Sequence, residues 1–196
     1  MSGRNQLREL DGEDDDNISC LEKDLTTFLN RTKKPYDEKL VKEVVRSTYE
    51  ILPECFGVNE DEVKGEACLS KDLGAESIDY LDMAFRLERK LKIKIYTETF
   101  NPGIGEERPG YRRTQEKMNN KRGKVSPYDY VDDESYLYSE NQMKLIHTYF
   151  CEFLNAMQEE DKKKFLATRK PIDFMDGQNV LGLLGYIYRI TQEQRA

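Results

Sequence analysis

Apolar residues recur at helical spacing in several separate parts of this chain, with polar segments between them. The most regular stripe lies between Pro35 and Gly57, and its members repeat every three or four residues: Leu40, Val41, Val44, Val45, Thr48, Ile51 and Leu52. Because Asp37 can accept the free N–H groups of a first helical turn, the stripe predicts a helix over about 37–52. A second stripe predicts a helix that begins near Ser77. Its inward side chains are expected to be Ile78, Leu81, Ala84, Phe85 and Leu87.

Two further apolar stripes lie near the C-terminus. Ser139 and Gln142 form a capping box that predicts a helix over about 139–158, and VLGLLGYIYRI predicts a last helix over about 177–192. The stretch after residue 100 has too few apolar side chains to close a core. We therefore expect the last helix to complete a bundle, with the 139–158 helix packed beside it. The alternative is that these two helices form a separate hairpin.

The polar segments divide the chain. Residues 1–35 are expected to form an acidic, mostly disordered tail with a possible short amphipathic helix over 18–30, because DGEDDD repels itself. A helical core is expected over 36–100. Residues 101–138 are rich in Lys, Arg and turn residues and are expected to form a long basic loop insertion, either a tolerated surface loop or a contact for phosphates or an acidic partner. A C-terminal helical extension follows over 139–196.

Charge and composition exclude several classes of function. The 196 residues carry a net charge of −7, whereas general nucleic-acid binding needs a basic surface. No apolar run of 18 residues and no apolar signal core are present, so we expect a cytoplasmic protein without a transmembrane segment. The four cysteines show no metal-ligand spacing, so reduced thiols and no metal site are expected: Cys20, Cys55, Cys68 and Cys151.

The stretch KDLGAESIDYLDM, residues 71–83, surrounds one serine with carboxylates. A nucleophilic serine needs a base within reach, but His147, the single histidine, lies in a different predicted helix. No catalytic residue is therefore predicted. A serine at a helix N-terminus is exposed and lies where backbone N–H groups favour a phosphate, so Ser77 can be esterified without unpacking a core. The simpler alternative is that Ser77 only caps the helix.

The residues around Ser77 resemble a known family. LGAESIDYLDMAFRLERKLKIKI is similar to the phosphopantetheine-attachment region of acyl carrier proteins, and GVNEDEVKGEACLSKDLGAES resembles the loop before that region's serine. The resemblance covers about residues 37–100. It implies an all-α, acyl-carrier-like four-helix bundle, here with a long basic loop insertion and an additional C-terminal helix. Glu76 stands where the family usually has Asp, and Ile78 where it usually has Leu.

The resemblance also implies a cofactor, partners and roles for residues. A phosphopantetheinyl transferase would attach 4'-phosphopantetheine covalently to Ser77, and acyl-synthesising and acyl-transfer enzymes would dock through basic patches. The expected docking residues are Glu76, Asp79, Asp82 and Arg86, where Arg86 adds positive charge that typical members lack. The alternative for these charges is an ordinary solvated face. The candidates for an acyl pocket are the predicted inward residues nearest Ser77, namely Ile78, Leu81 and Phe85.

The implied function is to hold acyl groups as thioesters for fatty-acid or specialised lipid biosynthesis. IDYLDMAFRLERKLKIKI, with the later GKVSPYDYV, is most similar to the specialised bacterial carriers of very-long-chain hydroxy-fatty acids for lipid A. One alternative is an unmodified helical protein-interaction module that has kept the carrier fold. A small helical enzyme is the weaker alternative, because no acid–base or nucleophile–base pair can be assembled from the motifs.

Overall fold

A computed structural model of the chain describes residues 13–31, 35–95 and 137–196, and the side chains of residues 13–15, 77 and 141 are outside that description. Within these ranges the secondary structure consists of α-helices and one short 3₁₀ turn, Glu60–Glu62, with no strand. The α-helices of the described residues are α1 Glu13–Arg31, α2 Glu38–Phe56, α3 Ser77–Leu91, α4 Glu140–Tyr149, α5 Cys151–Ala156, α6 Glu159–Thr168, α7 Pro171–Asp176 and α8 Val180–Arg195. The predicted all-α class is confirmed.

Helix α2 has a capping residue at each end. The Asp37 carboxylate accepts the backbone N–H groups of Lys39 and Leu40 at 2.8 and 3.4 Å. The helix ends at Gly57, whose φ of 68° lies in the left-handed region that glycine adopts without strain. The predicted stripe is buried along the helix, and the helix extends four residues beyond the predicted end.

The loop between α2 and α3 is held to the C-terminal part of the chain. Val63, Leu69 and Leu73 are buried. The Leu69 N–H donates to the Gln178 carbonyl at 2.9 Å, and the Val180 N–H donates to the Ala67 carbonyl at 3.0 Å. These bonds join the loop that leads to Ser77 to the connection between α7 and α8.

Helix α8 is buried on several sides. It packs against α1, α2 and α5, and its fully buried aliphatic side chains are Val180, Leu183, Leu184 and Ile187. Two glycines allow this close packing. A Cβ atom added at Gly182 would lie 2.9 Å from Cδ1 of Phe153 in α5, and one at Gly185 would lie 2.7 Å from Cε1 of Phe28 in α1.

Replacing Gly182 with alanine is expected to destabilise the protein, although alanine is normally the better helix former by about 1 kcal/mol. The new methyl group would also lie 3.0 Å from the backbone Cα of Phe153, which cannot move aside as a flexible side chain can. Overpacking of this kind costs about 1–3 kcal/mol. Urea unfolding of Gly182→Ala measures the effect, with Gln192→Ala at an exposed position of the same helix as control. A more stable Gly182→Ala protein would contradict the close contact.

The helix predicted over 139–158 differs from what the structure shows. The single helix predicted over 139–158 is wrong, because α4 ends before Phe150, whose φ of −129° and ψ of 24° are not helical, and α5 begins after it. The break lets the Phe150 ring pack against Phe174 and Tyr186, both with centroids 6.1 Å away, and it leaves Tyr149 54% exposed. One straight helix cannot bury so wide an apolar stripe. The predicted capping box between Ser139 and Gln142 is present.

The N-terminal helix is longer than the short element predicted over 18–30. Helix α1 begins at Glu13, inside the acidic run, and buries Leu21, Leu25 and Phe28 against α2 and α8. The expectations for residues 1–12 and 32–34, for residues 96–100 at the end of the predicted core, and for residues 101–136 of the basic insertion lie outside the described residues. None of the helices in the described ranges is both long and apolar enough to cross a bilayer.

Candidate functional site

Ser77 is the first residue of α3, and the turn before it is open. Gly74 has a φ of 66°, and a Cβ atom added there would meet no atom within 4 Å. Beneath the turn, Leu73 and Ala75 are buried, and the Ala75 N–H donates to the Leu69 carbonyl at 2.8 Å. The buried side chains anchor the loop that leads into the first turn of α3.

The predicted docking carboxylates on α3 both have partners within the protein. The Asp79 carboxylate accepts the Glu76 backbone N–H at 2.8 Å and thereby caps the helix. The Asp82 carboxylate lies 2.9 Å from Nε of Arg86, and the hydrogen bond from Arg86 lowers the pKa of Asp82. Neither carboxylate is therefore an isolated acidic charge.

Arg86, the predicted docking cation, bridges two helices. Its Nη1 atom lies 2.6 Å from Oε2 of Glu54 on α2, while its Nε atom binds Asp82 on α3. One turn further along, Lys90 pairs with Glu50 of α2. Neither cross-helix pair was predicted from the sequence, because 32 and 40 residues separate the partners and no local pattern indicates them.

The predicted inward orientation of Ile78 and Phe85 is wrong. Their side chains are 65% and 61% exposed, and Leu81 is only partly buried. The buried face of α3 is instead formed by Tyr80, Met83, Ala84, Leu87 and Leu91. These residues are spaced three, four or seven residues apart, so they share one face of the helix, which packs against α2. Ile78 and Phe85 lie on the opposite face. The assignment of Ile78, Leu81 and Phe85 to an acyl pocket therefore has no support from their burial.

The side chains that join the loop to the C-terminal helices were not predicted from the sequence either, because their partners lie about 90 to 108 residues away in the chain. Lys71 pairs with Asp161 of α6 at 3.1 Å. The Cys68 thiol donates to the carbonyl of Asp176 at 2.7 Å, and the Ser70 hydroxyl reaches the carbonyl of Met175 at 3.5 Å. These contacts brace the loop before Ser77 from the side of α6 and α7.

The titratable side chains near Ser77 do not form a catalytic pair in the described part of the chain. His147 is exposed on α4, a different helix from α3. The Tyr80 hydroxyl is buried, and this burial raises its pKa. Residues 13–31, 35–95 and 137–196 contain no cluster of three His, Cys, Asp or Glu side chains that suits a metal ion.

Cys55 is expected to react slowly with thiol reagents. Burial, followed by the neighbouring Asp82 carboxylate, raises the pKa of the Cys55 thiol to about 12, and only the thiolate is nucleophilic. At pH 8 we therefore expect iodoacetamide to label the exposed Cys20 on α1 well before Cys55. Peptide mass mapping over time measures both rates in the native protein. Equal rates would contradict the described surroundings of Cys55.

Comparison with curated proteins finds acyl carrier proteins. Over 56 residues the chain is 36% identical to the acyl carrier protein of Chlorobium phaeovibrioides, 38% to that of Chlorobium phaeobacteroides and 36% to that of Chlorobium luteolum. In each case the match covers 29% of this chain and 72% of the relative. No protein-family model and no solved structure matches the chain. The helical fold and the relatives together show that the chain belongs to the acyl carrier protein family.

Family membership confirms part of what the sequence predicted. Acyl carrier proteins are not enzymes, so the prediction that the chain is not an enzyme is confirmed. The family generally carries a phosphopantetheine group and interacts with a phosphopantetheinyl transferase and with acyl-handling enzymes. The particular serine, acyl groups and partners of this chain belong to the proposal below.

Proposed function

We propose that this protein carries acyl groups as thioesters on 4'-phosphopantetheine attached to Ser77. The observation that carries the proposal is the position of Ser77 as the first residue of α3, directly after an open turn and within the stretch LGAESIDYLDM. The backbone N–H groups of a first helical turn favour a phosphate bound there. Family membership supports the same chemistry.

The surroundings of Ser77 fit an attached group of this kind. Glu76 and Ile78 are exposed on either side of it, and the space beside Gly74 is open. The Ser77 hydroxyl would hold the group through a phosphate ester, and the group supplies the thiol that carries the acyl chain as a thioester. The protein contributes a braced attachment point and a face for partners.

We also propose how the bundle is divided. Helices α2, α3, α7 and α8 form the carrier bundle, with α8 in the place of the fourth helix, while α1 and α4–α6 are additions to it. Support comes from the backbone hydrogen bonds that join the loop before Ser77 to the α7–α8 connection and from the packing of α8 on α2. The stretch between Ile95 and Pro171 is then an insertion within the carrier fold.

The proposed pathway is fatty-acid or specialised lipid biosynthesis, with the carriers of very-long-chain hydroxy-fatty acids for lipid A as the preferred subtype. The similarity of IDYLDMAFRLERKLKIKI to those carriers supports this choice. Mass spectrometry of the protein isolated from its native cells tests it, because a bound acyl group adds its own mass to the chain. A short unsubstituted acyl group as the main occupant would contradict the subtype and leave the carrier function intact.

The carrier function itself is tested by intact-protein mass. After incubation with coenzyme A and a broad-specificity phosphopantetheinyl transferase, we expect one added phosphopantetheine per chain. An unchanged mass on a correctly folded protein would overturn the proposal. It would favour the second candidate, an unmodified interaction module, for which the exposed apolar side chains of Ile78 and Phe85 on α3 are the supporting observation.

A further inference from the structure

The face that α2 and α3 present together contains both acidic and basic side chains, and most of them are paired. Arg86 joins Glu54 and Asp82, and Lys90 joins Glu50. Asp79 is bound to the backbone at Glu76. The face also exposes two large apolar side chains, Ile78 and Phe85, within the first nine residues of α3.

Arg86 is the residue that most reduces the acidic character of this face. It contacts one carboxylate on each helix, at 2.6 Å on α2 and 2.9 Å on α3. The Cys55 thiol makes a further contact with the Asp82 carboxylate at 3.5 Å. A basic partner that approached Asp82 would have to displace the Arg86 guanidinium or accept its repulsion.

We infer that Arg86 determines how strongly basic partners recognise this face: by holding Asp82 and Glu54, it weakens recognition by strongly basic docking patches. The inference rests on the proposed carrier function. Charges at the rim of an interface mainly change the association rate and its salt dependence, while a like charge opposite a partner's cation penalises the wrong partner. The partner that reveals this effect is a phosphopantetheinyl transferase with a basic docking patch.

Arg89 provides a matched control. It is exposed on α3, four residues after Phe85, and within the described ranges it forms no ion pair. Replacing Arg86 or Arg89 with methionine removes the same charge from the same helix and leaves an unbranched apolar side chain. Only the Arg86 replacement also releases Asp82 and Glu54.

The experiment measures kcat/KM for transfer of phosphopantetheine to the full-length protein and its variants. At low salt we expect Arg86→Met to raise kcat/KM about threefold or more, because released carboxylates attract the basic patch. Arg89→Met is expected to give a smaller gain, which measures the effect of net charge alone. In a background of Asp82→Asn, the gain from Arg86→Met should fall towards the Arg89→Met value. At about 1 M salt, where charges are screened beyond about 3 Å, the gain should largely disappear.

The possible results separate the inference from the function on which it rests. The role of Arg86 would be overturned by either of two results: a gain from Arg86→Met no larger than that from Arg89→Met, or a gain that persists undiminished in the Asp82→Asn background. In both cases, modification of the wild type would still support the carrier function. A folded wild type that is never modified would overturn both. Thermal unfolding of each variant checks that the fold is retained, as expected for exposed ion pairs.

Discussion

Ser77→Ala is expected to abolish the addition of phosphopantetheine completely. The group is joined through the serine hydroxyl, and alanine has no oxygen with which to form the phosphate ester. Intact-protein mass after incubation with coenzyme A and the transferase should therefore show a mass gain for the wild type and none for the variant. Because Ser77 is the first residue of α3 and its neighbours Glu76 and Ile78 are both exposed, the variant is expected to keep its fold, as measured by circular dichroism.

Ser70→Ala is the control for this prediction. Ser70 lies on the same loop, seven residues earlier, and its hydroxyl makes only a long contact of 3.5 Å with the Met175 carbonyl. It should be modified at a rate close to that of the wild type. Modification that persists in Ser77→Ala would place the attachment at another residue and contradict the proposed site.

Truncation after Lys170 is expected to remove cooperative unfolding altogether. It deletes α7 and α8 together with their buried side chains, which include Phe174, Val180, Leu183, Leu184 and Ile187. Each such side chain contributes about 1.5–3 kcal/mol when fully buried, and the whole free energy of unfolding of a domain is only about 5–15 kcal/mol. Urea unfolding followed by circular dichroism should show a broad, featureless change instead of a transition.

Truncation after Thr191 is the matched control, because residues 192–196 are all exposed. It removes two ion pairs, Arg195 with Glu43 and Arg189 with Glu193, and the hydrogen bonds of Arg195 to Leu91 and of Gln194 to Lys94, but no buried apolar side chain. A small loss of stability with a sharp transition is expected. If the chain truncated after Lys170 still unfolds cooperatively and accepts phosphopantetheine, the placement of α8 in the carrier bundle is wrong.

The position of the candidate site could be predicted from sequence, but the directions of its side chains could not. A serine at a helix start, preceded by a glycine turn, is a local feature, and α3 does begin at Ser77. Ile78 and Phe85 share a helical stripe with Leu81, and this local pattern led to an inward assignment that the structure contradicts. Two opposite faces of α3 carry large apolar side chains, and only contact with α2 determines which of them is buried.

The same distinction applies to the whole fold. Helical periodicity and caps act within one or two turns, so the residues themselves were sufficient to predict the all-α class, the cap of α2 at Asp37 and the cap of α4 at Ser139. The break at Phe150, the packing of α1 on the bundle and the bridge from Arg86 to Glu54 depended on tertiary structure. Each joins or orients segments far apart in the chain, and such contacts form only where packing brings their partners within a few ångströms of one another.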